Sequence, residues 1–149
     1  MAQENVDLVK ALYPQPDTDM AELVRNEDAF SVIGEAISPL LTDDFHIVDV
    51  LPGTTRTYVG LEGFRQNWLD WLEPWVTYRS TIDEVIDLGE RVLLLIRDYA
   101  RRDEMDAEVE MMGAVIWTIR GGKVARIELH NDRARALKAA RLSEQDTSV

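Results

Sequence analysis

Phe45, Ile47, Asp49 and Leu51 fall on one side of an alternating segment, with His46, Val48 and Val50 on the other, so one carboxylate stands in an apolar row. A carboxylate among aliphatic side chains loses hydration, holds its proton more tightly, and becomes a better proton acceptor near neutral pH. The alternative is structural: Asp49 closes a strand by accepting hydrogen bonds from backbone amides of the Pro52-Gly53 turn. The same apolar side is expected to carry Asn131, Tyr13, Tyr58 and Arg97. In RVLLLIRDYARR the run Val92 to Ile96 hides the alternation, so either Arg97 or Asp98 points inward. An inward Arg97 would partner Asp49 or an acidic ligand. His130 is a weaker candidate base, because alternation sets it with Arg126 and Glu128 on the opposite side.

These groups need a scaffold, and the pattern of apolar residues supplies one. Val6, Val9, Leu12 and Tyr13 share a helical face, as do Ala29, Ile33, Ala36, Ile37 and Leu40, with a short capped helix around Met20 to Val24 between them. A strand is expected over Phe45 to Leu51, ended by Pro52-Gly53, and a helix over Leu61 to Glu73, stopped by Pro74. Trp68 and Trp71 fall in this helix and Trp75 just past it, a cluster that reads as helix core rather than a cofactor box, with a Trp edge able to line a pocket mouth. Four strands follow, roughly Val76 to Leu88, Arg91 to Arg101, Glu108 to Arg120 and Val124 to Asn131, and then a last helix. In the final hairpin a three-residue loop, Gly121 to Lys123, pairs Ile119 with Ala125, Trp117 with Ile127 and Val115 with Leu129, which makes one sheet face apolar. The order of elements predicts an α+β fold with helices covering one face of an antiparallel sheet.

At 149 residues the chain fits one domain, and 46% hydrophobic residues can fill a core. The formal charge of −12 repels phosphate backbones and anionic lipid, so no nucleic-acid or membrane partner is expected. MAQENVDLVK lacks the basic start and apolar run of a signal peptide, which points to the cytoplasm. No cysteine and two histidines disfavour disulfide and metal chemistry.

Three segments, LLTDDFHIVDV, YVGLEGFRQNWLDWLEPW and AVIWTIRGGKVARIELHNDRARAL, in this order resemble the nuclear transport factor 2-like superfamily, and within it the SnoaL-like domain proteins. The resemblance spans nearly the whole chain. It implies a cone-shaped, curved antiparallel or mixed sheet wrapped around N-terminal helices, with an internal apolar pocket. Residues 1–142 would be one domain with a helical insertion near 17–27, and 143–149 a disordered tail. Ketosteroid isomerases of this superfamily set a general-base Asp where DDFHIVDV sets Asp49, and a first-helix tyrosine where Tyr13 stands. Their second oxyanion donor falls at Val115, which cannot donate a hydrogen bond. The Asp and Trp of the epoxide hydrolases fall at Leu129 and Ile127, and the His of polyketide cyclases brings His130 into consideration. The resemblance thus implies an isomerase, cyclase or lyase using Asp49 on a small apolar molecule, with Asn131 or Tyr13 orienting an oxygen and neither cofactor nor metal required. Tyr58, Trp68, Arg97, Val115, Trp117, Ile127 and Leu129 would line the pocket. The alternatives are a non-catalytic binding domain and a dimerisation module. A homodimer through the outer sheet face, with Met112, Ala114 and Ile116, is expected in each case.

Overall fold

The computed structural model describes residues 2–104 and 106–147. Three helices come first, α1 (Ala2–Leu12), α2 (Met20–Arg25) and α3 (Glu27–Ile37). Asp19 caps α2 by accepting the Ala21 N–H at 3.0 Å, and Asn26 caps α3 by accepting the Ala29 N–H at 3.0 Å. A 3-10 turn at Ser38–Leu40 leads into β1 (Leu41–Leu51), β2 (Thr54–Val59), α4 (Gly60–Leu72), β3 (Thr77–Asp87), β4 (Arg91–Arg101), β5 (Val109–Arg120), β6 (Lys123–His130) and α5 (Arg133–Thr147). The six strands form one curved, unclosed sheet in the order β2-β1-β6-β5-β4-β3. It is mixed, because β1 runs parallel to β6 while the other neighbours are antiparallel.

Two hairpins differ from the sequence reading. Pro52-Gly53 does not merely end β1: it links β1 to β2, pairing Leu51 with Thr54 and Ile47 with Tyr58. Pro in the first central position and Gly53 at φ 76 in the second are the residues a type II turn requires. In the last hairpin Trp117 pairs with Ile127 and Val115 with Leu129, as the apolar alternation demands. The loop is tighter than three residues, however. Gly121 and Gly122, at φ 61 and 77, close a two-residue turn that pairs Ile119 with Val124, and the register shift beside Thr118 leaves Ala125 as an extra residue.

The inner face holds α1, whose Val6 and Val9 pack with Phe45, Ile47, Val92, Leu94, Val115, Trp117 and Ile127. Beside it α2, α3 and α4 bury Met20, Val24, Phe30 and Leu72 against Trp75, Tyr78 and Ala100. The outer face is covered too: Ala136 and Ala140 of α5 bury Leu93, Ala114 and Ile116. This corrects the expected dimer surface, since Ala114 and Ile116 meet the chain's own last helix and Met112 alone of that trio stays exposed. Arg133 fastens α5 there, donating to Asp83 Oδ2 and the Ile96 carbonyl, both at 2.7 Å, and to the Gly113 carbonyl at 3.2 Å. Helix α5 also takes in 143–147 of the expected tail, and 148–149 lie outside the described residues.

Helix α4 sits close on β2: a Cβ on Gly63 would come within 2.7 Å of the Tyr58 carbonyl carbon. Gly63→Ala is therefore expected to destabilise the protein by about 1–3 kcal/mol through overpacking. Helix propensity alone would favour Ala by about 1 kcal/mol. The sign of the change in the urea midpoint decides between the two, and a raised midpoint would contradict the close approach.

Candidate active site on the inner face of the sheet

Asp49 stands on the inner side of β1, two residues beyond Ile47 and opposite Leu129 of β6 and Arg56 of β2. Its carboxylate has no hydrogen-bond partner among the described residues and is half-buried. Burial raises its pKa above the ordinary 3.8, and the Arg56 guanidinium across the hairpin draws it only partly back. The structural alternative, a carboxylate tied to turn amides, is not what the hydrogen bonding of the described residues shows. Tyr58, on the same inner side, donates to Asp70 Oδ2 of α4 at 2.8 Å, and Gln66 donates to Asp70 Oδ1 at 2.7 Å. A polar rim of Arg56, Tyr58 and Asp70 thus lies beside Asp49.

Strand register shows where the inner face opens. Ile47, Ile127, Val115 and Leu94 are buried, whereas Asp49, Leu129, Ile96, Met111 and Asp98 are only half-buried although they share the same face. In each strand the step from the first group to the second runs toward the same end of the sheet. That end is the more open one over β1, β6 and β5, while on β3 and β4 it passes under α2 and α4, which bury Tyr78 and Ala100. Gly113, between Val115 and Met111, adds no side chain to this floor; a Cβ there would meet the His130 carbonyl at 2.9 Å.

A second carboxylate, Asp98 of β4, faces the same way. Ser80, its cross-strand neighbour on β3, donates to Oδ1, and Tyr78 donates to Oδ2. The Ser80 hydroxyl is also bonded to the Tyr13 hydroxyl, just beyond the end of α1. Burial raises the Asp98 pKa, and the two hydroxyls oppose that rise. Tyr13 and Tyr78 both hold their protons far above the ordinary phenol value, first through burial and then through the Asp98 charge. Trp68 and Trp71 stand edge-on to Tyr78, with ring centroids 5.8 and 6.4 Å away. Asp49 and Asp98 are three strands apart, about 14 Å measured across the sheet at the usual strand spacing.

Several expected site residues lie elsewhere. Arg97 points outward, where it bonds Asp83 and Glu110, so the ambiguity in β4 resolves in favour of Asp98. Alternation from the inward Leu94 and Ile96 sets Arg97 outward, and the bulge at Asp83, which keeps Ile82 and Val85 of β3 both inward, leaves the Asp83 carboxylate on the outer side to meet it. Asn131 is exposed in the bend after β6, because the strand stops at His130 and alternation no longer governs it. His130 is buried on the outer face, with Nε2 3.6 Å from Glu128. Val115, Trp117 and Ile127 do face inward but lie within the packed core; Leu129 and Trp68 are the half-buried members of the expected wall. Tyr78, Ser80 and Arg56 were missed. The two-residue spacing of Tyr78 and Ser80 was a signal available in TYRST.

The interior is well filled. A cavity of about 30 Å³ lies among Leu12, Ile37, Phe45, Phe64, Trp117 and Ile127, room for one or two water molecules rather than a ligand. A larger groove, about 950 Å³, runs between α3 and α4 past Phe30, Gly34, Leu61 and Leu69, with neither carboxylate in its lining. Among the described residues no group of three or more acidic or histidine side chains is placed to hold a metal, and no helix is long and apolar enough to cross a membrane.

Comparison with known proteins adds the family. Residues 19–127 match the SnoaL-like domain. Among solved structures the chain is similar to a SnoaL-like polyketide cyclase candidate from Jannaschia sp. CCS1, at 14% identity and TM-score 0.64, over 93% of this chain and 92% of that one. It is similar to TerC co-crystallised with polyporic acid, at 18% identity and TM-score 0.62, over 93% and 98%. A hypothetical protein of ketosteroid isomerase-like fold from Catenulispora acidiphila DSM 44928, in complex with trimethylamine, matches at 16% identity and TM-score 0.54, over 79% and 85%. At these identities the likeness concerns the fold. No protein with a curated description matches the chain.

Proposed function

Because this chain belongs to the SnoaL-like domain family, we propose that it binds a small, mainly apolar organic molecule at the open end of the inner face and moves a proton on it, with Asp49 as the general base. The supporting observation is the state of that carboxylate: half-buried, with raised proton affinity, and without a hydrogen-bond partner among the described residues. A carboxylate kept for structure is normally tied down, as Asp83 is by Arg97 and Arg133. Asp49 instead has lone pairs free to meet a ligand. Leu129, Ile96 and Met111 offer apolar contact, and Arg56 and Tyr58 supply polar groups at the rim. The reaction class is proton abstraction leading to isomerisation, cyclisation or elimination. That TerC was crystallised with polyporic acid supports small organic ligands on this fold. In a purely binding domain Asp49 would accept one hydrogen bond and no proton.

A thermal-shift screen of uncharged cyclic ketones, quinones and terpenoid alcohols, followed by turnover assays of the hits, tests this reading. Wild type is expected to be stabilised by at least one compound and to transform it, while Asp49→Asn binds it and transforms it about a hundredfold or more slowly. A hit that Asp49→Asn transforms at the wild-type rate would overturn the assignment, and binding lost with no turnover ever seen would favour the binding domain.

A further inference from the structure

The hydroxyl chain at the other edge of the open end does more than fill space. With Asp98 ionised, all three hydroxyls can be satisfied in only one direction: Tyr13 donates to Ser80, Ser80 to Asp98 Oδ1, and Tyr78 to Asp98 Oδ2. Ser80 is buried, and Tyr13 is half-buried with lone pairs that no hydrogen bond among the described residues uses. We propose that Tyr13, Ser80 and Asp98 form a proton relay, a second acid–base site on the inner face in which the Tyr13 hydroxyl meets the ligand and Asp98 stores the proton. It rests on reading the inner face as a small-molecule site, and does not depend on Asp49.

The step balances without a co-reactant. A ligand proton goes to Tyr13 Oη, the Tyr13 proton to Ser80 Oγ, and the Ser80 proton to Asp98 Oδ1; the negative charge that leaves Asp98 appears on the ligand. Afterwards the neutral carboxyl donates to Ser80, Ser80 to Tyr13, and the Tyr13 O–H points outward. Storing one proton thus turns Tyr13 from acceptor into donor, which suits a ligand that loses a proton from carbon or hydroxyl and takes one back on oxygen. Tyrosinate is not the base here, since burial and the Asp98 charge hold the Tyr13 phenol proton far too tightly. The carboxylate is the group whose proton affinity is moved toward the working range. Tyr78 from β3 and Tyr13 are the other titratable groups bonded into the chain, while β5 contributes the apolar Met111 opposite Asp98. In this scheme Tyr13 is the catalytic residue, and Ser80 and Asp98 position and drain it.

The apolar probe 5-nitrobenzisoxazole tests the relay. Its C3–H proton passes to a base, its N–O bond breaks, and coloured 2-cyano-4-nitrophenolate leaves. Assayed in an Asp49→Asn background, the protein is expected to keep an acceleration over buffer whose pH profile has a midpoint above 3.8, the ordinary value for Asp98. Tyr13→Phe, Ser80→Ala and Asp98→Asn should each lower that rate by about tenfold or more, at the low end of what general-base catalysis contributes. Ser80→Thr should restore most of it, and the rate should fall in D2O with a curved dependence on deuterium fraction. If Ser80→Ala keeps the rate while Asp98→Asn loses it, Asp98 acts directly and the relay is wrong. Complete loss with Asp49→Asn alone also overturns the relay and leaves Asp49 as the base. If Asp49→Asn changes nothing while the three relay variants fail, the relay stands and the Asp49 reading falls. No acceleration by wild type sinks both.

Discussion

Asp49→Asn is expected to slow proton abstraction by roughly a hundredfold or more, within the 10²–10⁴ range typical of a positioned general base, while leaving the fold intact at neutral pH. The two halves of that expectation have one physical origin. Burial raises the Asp49 pKa, so ionising the group in the folded state is harder than in the unfolded chain. The sign follows by linkage: an acid whose folded pKa is raised withdraws stability as pH climbs from the unfolded to the folded value, and the penalty is complete above both. Asn carries no such penalty. At neutral pH the variant should therefore be as stable as wild type or slightly more so, and the difference should close as pH falls below the ordinary carboxylate value. Equal urea midpoints with a collapsed rate would mark Asp49 as a residue kept for chemistry. A variant that loses stability at neutral pH and activity in proportion would mark it as structural.

Leu94→Ala should produce a large loss of stability, about 2–5 kcal/mol. Leu94 is completely buried, pairs with Val115 on β5 and Val85 on β3, and belongs to the core that Val6 and Val9 of α1 complete. Close packing on both sides leaves the site little room to collapse, so a cavity term adds to the lost transfer energy. The urea midpoint reports the loss, and a change under about 1 kcal/mol would mean that α1 does not seat on β4 as described. The same helix ends beside Tyr13, so a loosened α1 should also weaken the hydroxyl chain.

What could be read from sequence followed the physics of alternation. The face of Asp49 and the pairing of Trp117 with Ile127 are local, period-two facts, and both reappear in the sheet. The SnoaL-like segments likewise led to the fold that the structure and its neighbours share. Strand β2 escaped because an edge strand of exposed Thr and Arg carries little apolar signal beyond Tyr58. In β4 the run Val92 to Ile96 is apolar on both faces, since α1 covers one and α5 the other, and no local pattern separates Arg97 from Asp98. The choice is made far away in sequence, by Glu110 and Asp83 on the outer side and by Tyr78 and Ser80 on the inner. Asn131 was placed inside by extending β6 one residue too far. The outer face was left for a second copy because a helix such as α5, with alanines at 136 and 140, shows its docking face without saying which strands receive it.

The chemistry proposed here turns on whether Asp49 is a tuned and free carboxylate. A titration of its side-chain carboxyl carbon by NMR, assigned through the loss of the signal in Asp49→Asn, measures this directly. The predicted midpoint lies above 3.8, with burial outweighing the pull of Arg56, and it should rise further in Arg56→Gln. A midpoint at or below 3.8 would show a carboxylate held by the fold as an ordinary anion, and would contradict the general-base reading of this site.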